Sequence, residues 1–266
     1  MLRLRVIPIL LLKDDRLVKT INFNKPNYIG DPCNTIRIFN ELQVDELFLF
    51  DIFASTTERG PNYKIISNLV DECFMPLAYG GGINSLDQAK KIFDFGVEKI
   101  SINSAISDNP KLINDLVKIY GSQAIICSID YKKTKSGFYT VWTHRGTFDT
   151  KKCPIEWAKE LEKRGAGEIC FTSIDREGSW LGPDLEISDK ASDLLSIPVV
   201  THGGVGKIEH IKILEKNTNI SGIGVGSMFV YQNKGNGVLV NYPFEEFMKE
   251  MEVLKMKNIK MEEEDL

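Results

Sequence analysis

The chain has 266 residues, a formal net charge of −4 and 42% hydrophobic residues. That describes one large globular unit, and an α/β barrel of about 250 residues falls within the range. It excludes a disordered or fibrous chain, and it gives no reason to expect nucleic acid, whose phosphates call for a basic surface.

In chain order, the apolar run Val6 to Leu12 opens a strand over 5–12. The run is far too short to span a bilayer and carries no cleavage pattern, so a cytoplasmic location with no membrane partner is expected. Asp31 followed by Pro32 reads as a helix cap and first turn. A strand over 46–51, a helix near 62–73 and a strand over 76–80 follow. Ser85-Leu86-Asp87-Gln88 fits a capping box, and Gly96 a helix stop. Strands over 98–102, 123–130, 168–173, 197–202 and 221–225 then alternate with helices near 109–119, 154–164, 184–195, 207–216 and 243–256. The strands are continuous apolar runs, as expected of a parallel sheet covered on both faces. Eight strands alternating with eight helices make a single (βα)8 TIM barrel of the α/β class the economical answer. The barrel is expected over 1–258, with a charged, solvated tail over 259–266. Five scattered cysteines, odd in number and without C-x-x-C spacing, read as reduced thiols.

An internal repeat divides the barrel into halves at about 1–120 and 121–245. Pro76 to Ile83 (PLAYGGGI) matches Pro198 to Val205 (PVVTHGGV), an offset of 198 − 76 = 122 residues. Val97 to Ala105 matches Ile220 to Met228, and Glu46 to Leu49 matches Glu168 to Phe171. The end of the fifth strand, Ser128 to Lys132, matches Ile9 to Lys13. Asp130 therefore has a twin position, and the twin is Leu11.

In such barrels chemistry sits at the C-terminal strand ends. Gly80-Gly81-Gly82 and Gly203-Gly204 follow the third and seventh strands; Asn103-Ser104 and Gly226-Ser227 follow the fourth and eighth. Glycine lets backbone N–H groups approach an anion, and a helix start adds its dipole. The paired set predicts two phosphate sites on opposite sides of one mouth, for a phosphorylated small molecule; the plainer alternative is tight βα turns. Asp130 is a candidate acid or base, or else a carboxylate that binds backbone amides or pairs with Lys132 or Lys19. Asp51 and Asp175 also end strands and could orient Lys19 or a substrate hydroxyl, or serve structure alone. His202 stands in the seventh-strand turn, as a proton carrier or a satisfied turn histidine. His144 and His210 lack ligand spacing, so no metal is assigned, and no cofactor is expected.

These residues resemble the cyclase subunit of imidazole glycerol phosphate synthase. The resemblance runs from about residue 3 to 230 and is dense in Lys13-Asp14-Asp15-Arg16-Leu17-Val18-Lys19, Gly30-Asp31-Pro32, Lys99-Ile100-Ser101-Ile102-Asn103, Lys163-Arg164-Gly165-Ala166-Gly167-Glu168 and Thr172-Ser173-Ile174-Asp175-Arg176. It implies a barrel that takes ammonia from a separate glutaminase and acts on a substrate with two phosphates. It also implies a general acid and base on two aspartates, at the ends of strands one and five. The second matches Asp130; the first falls on Leu11, which has no proton to give. Asp130, Lys19 and His202 remain as candidate catalytic residues. The stretch Tyr231 to Pro243 departs from the family's usual ending. With Leu11, it resembles the cyclase-like paralogues associated with acetamidino-sugar formation in bacterial surface polysaccharides. There a glutaminase and a barrel supply ammonia to a separate sugar amidotransferase.

Arg5, Glu46, Lys99 and Glu168 fall near the N-terminal ends of strands one, two, four and six. Two cations and two anions there can close a ring, because unpaired charge facing a barrel core is costly. The ring is either a stabilising plug or, as the resemblance implies, the gate through which ammonia enters. Glu98 matches an acidic position of the family's glutaminase-docking face. The preferred reading is an ammonia-conducting synthase subunit of a glutamine amidotransferase. The alternatives are the histidine-pathway cyclase itself and a non-catalytic scaffold that binds a phosphorylated ligand.

Overall fold

A computed structural model describes residues 4–243, apart from Glu58 and Asn236. The chain begins with β1 (Arg5–Lys13), β2 (Arg16–Ile21), β3 (Asn24–Gly30), α1 (Pro32–Glu41), β4 (Leu47–Asp51), α2 (Tyr63–Val70) and β5 (Leu77–Gly80). It continues through α3 (Leu86–Asp94), β6 (Lys99–Ile102), α4 (Ser104–Asp108), α5 (Lys111–Tyr120), β7 (Ile125–Lys133), β8 (Tyr139–Thr143) and β9 (Phe148–Asp149). The rest is α6 (Pro154–Lys163), β10 (Glu168–Ser173), α7 (Leu185–Leu194), β11 (Val199–His202), α8 (Ile208–Asn217), β12 (Gly222–Val225) and α9 (Ser227–Val230). Parallel pairing runs β10-β11-β12-β1-β4-β5-β6-β7, and β7 pairs back onto β10, so eight strands close into a barrel. The expected (βα)8 barrel is the observed fold.

Helix starts follow the sequence. The Asp31 carboxylate accepts from Asn34 N at 2.9 Å, with Pro32 in the first turn. Ser85 Oγ accepts from Gln88 N, but the Gln88 side chain reaches back to Asn84 N, one residue before the expected capping-box partner. The helix expected over 243–256 and the tail over 259–266 lie outside the described residues, apart from Pro243.

Two hairpins were not expected. β2 pairs antiparallel with β1 and β3 with β2; β8 pairs antiparallel with β7 and β9 with β8. They extend strands one and five alike, so they obey the half-barrel repeat. The ladder register shows the same symmetry. Leu11 lies opposite Phe50 of β4, and Asp130 lies opposite Thr172 of β10. Phe50 and Thr172 are separated by 172 − 50 = 122 residues, the offset of the repeat. Leu11 and Asp130 thus occupy equivalent places on equivalent strands.

The core has two layers. Leu10, Leu12, Leu49, Ile100 and Ile125 face outward into the layer between sheet and helices. Ile7, Ile9 and Leu11 of β1 face inward, with Phe48, Ala78, Ile126, Cys170 and Val200. Burying each such aliphatic side chain contributes roughly 1.5–3 kcal/mol. One face of β1 therefore runs from Arg5 at the N-terminal end to Leu11 at the C-terminal mouth. After α9 the chain folds back along the barrel: Tyr231 bridges Val238, and Tyr242 packs its ring on Phe229 and donates to Val6 O at 3.3 Å.

Candidate active site

The C-terminal mouth holds a cavity of about 510 Å³. Its lining includes Leu11, Thr20, Asp51, Gly81, Gly82, Asn103, Ser104, Asp130 and His202, so most of the expected residues converge there. The turn after β5 needs its glycines: Gly82 has φ +70°, and a Cβ there would lie 2.9 Å from both Ala54 Cβ and Gly60 C. This packing holds the turn's backbone against the cavity wall.

Asp130 sits deep in this cavity and accepts from Asn103 Nδ2 at 2.7 Å. Burial pushes its carboxyl up to about 7, while Asn103 and Thr172 pull the other way. Near neutral pH it is poised to hold or release a proton. Facing it in the repeat, Leu11 is 4% exposed and packs with Val18, Phe50 and Ile52. That wall carries no group able to donate a proton. Asp51 is committed elsewhere: Arg59 Nη2 binds both its oxygens, at 2.8 and 2.7 Å, and the amides of Phe53 and Ala54 cap it. Burial raises its pKa, and Arg59 opposes the rise.

His202 is 7% exposed, and its Nδ1 lies 3.5 Å from Thr172 Oγ1. Burial, reinforced by repulsion from Lys19, pushes its pKa down to about 3. It is a neutral imidazole at physiological pH. Lys19, on β2, is buried and donates from Nζ to the Ile9 carbonyl at 2.8 Å. Burial brings its ammonium down to about 8, with Glu177 opposing the fall.

The second-half turns are built differently. Gly203, Gly204, Gly226 and Ser227 line a separate recess of about 10 Å³, together with Lys19, Glu177 and Trp180. A Cβ on Gly226 would collide with the Lys19 ammonium, and one on Gly206 with the Trp180 side chain. The side chains of Lys19 and Trp180 narrow this recess. Asp175 does not join either cavity. It is exposed, and its carboxylate accepts from Lys133 N at 2.8 Å.

Among the lining residues that escaped sequence reasoning are Thr20, Arg145 and Glu177. Glu177 is buried, and its Oε2 accepts from Phe23 N at 3.1 Å. Arg145 comes from the turn between β8 and β9, where His144, Arg145 and Gly146 all have positive φ. Its guanidinium lies 4.0 Å from the Phe53 ring centroid and donates to Phe23 O. Arg145 and Glu177 lie in loops and Thr20 on β2, a strand of an unexpected hairpin, so the reading of barrel strands and helices did not reach them.

At the opposite end the charged ring is closed. Arg5 bonds Glu46 at 2.6 Å and also Glu168; Lys99 bonds Glu46 at 2.5 Å and Glu168 at 3.1 Å. Glu98 is exposed, but one of its oxygens accepts from Leu77 N at 3.0 Å, which ties it to the start of β5. Among the described residues no cluster of His, Cys, Asp and Glu could hold a metal ion, and no helix is long and apolar enough to cross a membrane.

A closed barrel whose C-terminal mouth holds a cavity lined by both apolar and polar side chains is the framework of an α/β-barrel enzyme subunit. The chain belongs to the histidine biosynthesis protein family, whose model matches residues 5–236. It is 48% identical over 244 residues to a Leptospira borgpetersenii protein named "Putative imidazole glycerol phosphate synthase subunit HisF", covering 91% of this chain and 96% of that one. It is 47% identical over 243 residues to the "Putative imidazole glycerol phosphate synthase subunit hisF2" of Pseudomonas aeruginosa, covering 91% and 97%. Identity to the imidazole glycerol phosphate synthase subunit HisF of a Hydrogenobaculum species is 38% over 232 residues, covering 87% and 92%.

Proposed function

We propose that this protein is the ammonia-conducting synthase subunit of a glutamine amidotransferase, working with a separate glutaminase. The observation that carries this reading is the inward face of β1. Arg5 closes the charged ring at one end, and Leu11 occupies the acid position at the other. The entry side of the family barrel is kept, and half of its acid–base pair is absent. The ring is then a gate, and the glutaminase docks over it with Glu98 on the contact face. Ammonia emerges beside Asp130, which holds or moves a proton, with Asn103 orienting its carboxyl. Gly81, Gly82 and Ser104 form the seat of a phosphorylated ligand.

We place this activity in acetamidino modification of a surface-polysaccharide sugar, with a separate sugar amidotransferase receiving the ammonia. Leu11 and the departure over 231–243 support that assignment. Reconstitution with a purified glutaminase subunit tests the core of the reading. A stoichiometric complex with stimulated glutamine hydrolysis is expected; a barrel that associates with no glutaminase, with or without phosphate, would leave the ring as a plug. The second reading, the histidine-pathway cyclase itself, is favoured by Asp130, whose pKa near 7 suits acid–base work.

A further inference from the structure

Thr172 stands between Asp130 and His202. It pairs with Asp130 across the β7–β10 ladder and with His202 across the β10–β11 ladder. Ile126, Cys170 and Val200, an even number of residues earlier on the same strands, belong to the interior layer. Side chains alternate along a strand, so Asp130, Thr172 and His202 form one inward-facing row. The Thr172 hydroxyl is a hydrogen-bond partner of the Asp130 carboxyl, and its Oγ1 lies 3.5 Å from His202 Nδ1. From the other side, Asn103 Nδ2 donates to Asp130 Oδ2 at 2.7 Å. A hydroxyl has one hydrogen to give. Asp130, His202 Nδ1 and the sulfur of Cys170 all lie within reach of the one on Thr172, and sulfur is the weakest acceptor of them.

Which acceptor receives that hydrogen depends on the tautomer of His202. The ring is neutral, so only one of its nitrogens carries a hydrogen. Its Nε2 borders the narrow recess where the Lys19 ammonium also lies. A Cβ on Gly226 would collide with Lys19 Nζ and lie 3.7 Å from His202 Nε2. An ammonium is a donor only, and Lys19 gives one of its hydrogens to Ile9 O. An N–H at Nε2 would set one positive group against another. Nε2 therefore keeps its lone pair on the ammonium side, and Nδ1 carries the hydrogen. Nδ1 then donates to Thr172 Oγ1, which leaves the hydroxyl hydrogen for Asp130. The other charged or titratable groups lining the two cavities are Glu177, which acts on both Lys19 and Asp130, His144 and Arg145 of the β8–β9 turn, Asp108, and Asp51, which is paired with Arg59.

We infer that His202 is a positioning residue for Asp130: Lys19 fixes its tautomer, and through Nδ1 it turns the Thr172 hydroxyl toward the Asp130 carboxylate. The row from Lys19 through His202 and Thr172 carries the influence of a charge on β2 to a carboxyl on β7. The inference rests on the reading of Asp130 as the group that holds or moves a proton, and the two fail separately. The opposite tautomer would leave glutaminase association and the titration of Asp130 near neutral pH as they are.

The test is nitrogen-15 NMR of the full chain with labelled histidine, in which His202 has only His144 and His210 to be told from. The Nδ1–H tautomer is expected at neutral pH; a His202 ring with its hydrogen on Nε2, or one that is doubly protonated, would overturn the inference. This wild-type measurement does not depend on whether any variant folds. Carbon-13 NMR of the Asp130 carboxyl gives a second readout. Lys19→Met frees Nε2 to take the hydrogen, so Nδ1 then competes for that of Thr172. The Asp130 midpoint should rise by about one pH unit, the effect of losing a hydrogen bond to a charged group. Thr172→Val should raise it by as much, and Thr172→Ser should restore the wild-type value. With His202→Leu already in place, Lys19→Met should move the midpoint little, because the link is gone. A shift from Lys19→Met that is as large without His202 as with it would mean a direct effect of charge, and would also overturn the inference.

Discussion

Lys99→Met removes one corner of the charged ring and keeps much of the side-chain volume. Lys99 Nζ is 2.5 Å from Glu46 and 3.1 Å from Glu168, whose side chains are only 6% and 5% exposed. With the ammonium gone, two interior carboxylates share Arg5 alone. Breaking a buried ion pair by deleting one partner costs about 3–5 kcal/mol, because the remaining charge is left without compensation. Lys99 is itself a quarter exposed and Arg5 stays in place, so the loss scales down to roughly 2–3 kcal/mol. In a barrel of this size each kcal/mol moves Tm by about 2–4 °C, giving a fall of about 4–12 °C. Urea denaturation followed by fluorescence and circular dichroism, with a Tm from calorimetry, measures it. The same variant in the glutaminase complex should release ammonia into bulk solvent when glutamine is turned over. A variant as stable as wild type would refute the reasoning, since it would mean that water already solvates both glutamates.

Leu11→Asp exchanges a buried leucine for a carboxyl and should cost about 2–4 kcal/mol in stability by denaturant titration. It should also add cyclase turnover, and no gain at all would show that the missing acid is not what limits the mouth. Asp130 holds its proton up to about pH 7 in the folded chain but only to about 3.9 when unfolded, so its stabilising effect is full below about pH 4 and is lost as pH rises through 7. Asp130→Asn should remove that part of the pH dependence, and an unchanged slope between about pH 4 and 7 would contradict the assigned shift. His202 has the opposite sign: its folded pKa of about 3 lies below the unfolded 6.5, so stability falls as pH drops from about 6.5, and His202→Gln should flatten the acid limb of a stability–pH curve. Glu98→Gln keeps the acceptor for Leu77 N and removes the charge; weaker glutaminase binding with unchanged Tm is the expected result, and unchanged binding would take Glu98 off the docking face.

The barrel was legible because its strands are buried on both faces and its helices carry capping side chains. RVIPILLLK and EICFTS contain no alternation to mistake, and Asp31 and Ser85 mark helix starts through bonds that form as read. The hairpins were not legible. NKPNYIG is mostly exposed and polar, so it leaves no periodic trace, and β9 is only two residues long. The site divided along the same line. Residues on strand ends, such as Asp130 and Asn103, follow from the repeat and meet at 2.7 Å. Arg145 and Trp180 sit on loops, where position depends on turns with positive φ that no hydrophobic pattern encodes. The repeat also says nothing of the size of the recess beside each glycine turn. Side chains from outside the turns, Lys19 and Trp180, decide their sizes.

On the proposed function, this barrel keeps the family's framework and lacks its cyclase chemistry. The most direct measurement is turnover of the histidine-pathway cyclase substrate by the purified wild-type protein in excess ammonium salt, which bypasses any glutaminase. With Leu11 in the acid position, the rate should lie about 10² or more below that of a family member with both aspartates, and the gene should not rescue a histidine auxotroph. Turnover fast enough to sustain growth would show that the chain retains cyclase chemistry despite Leu11.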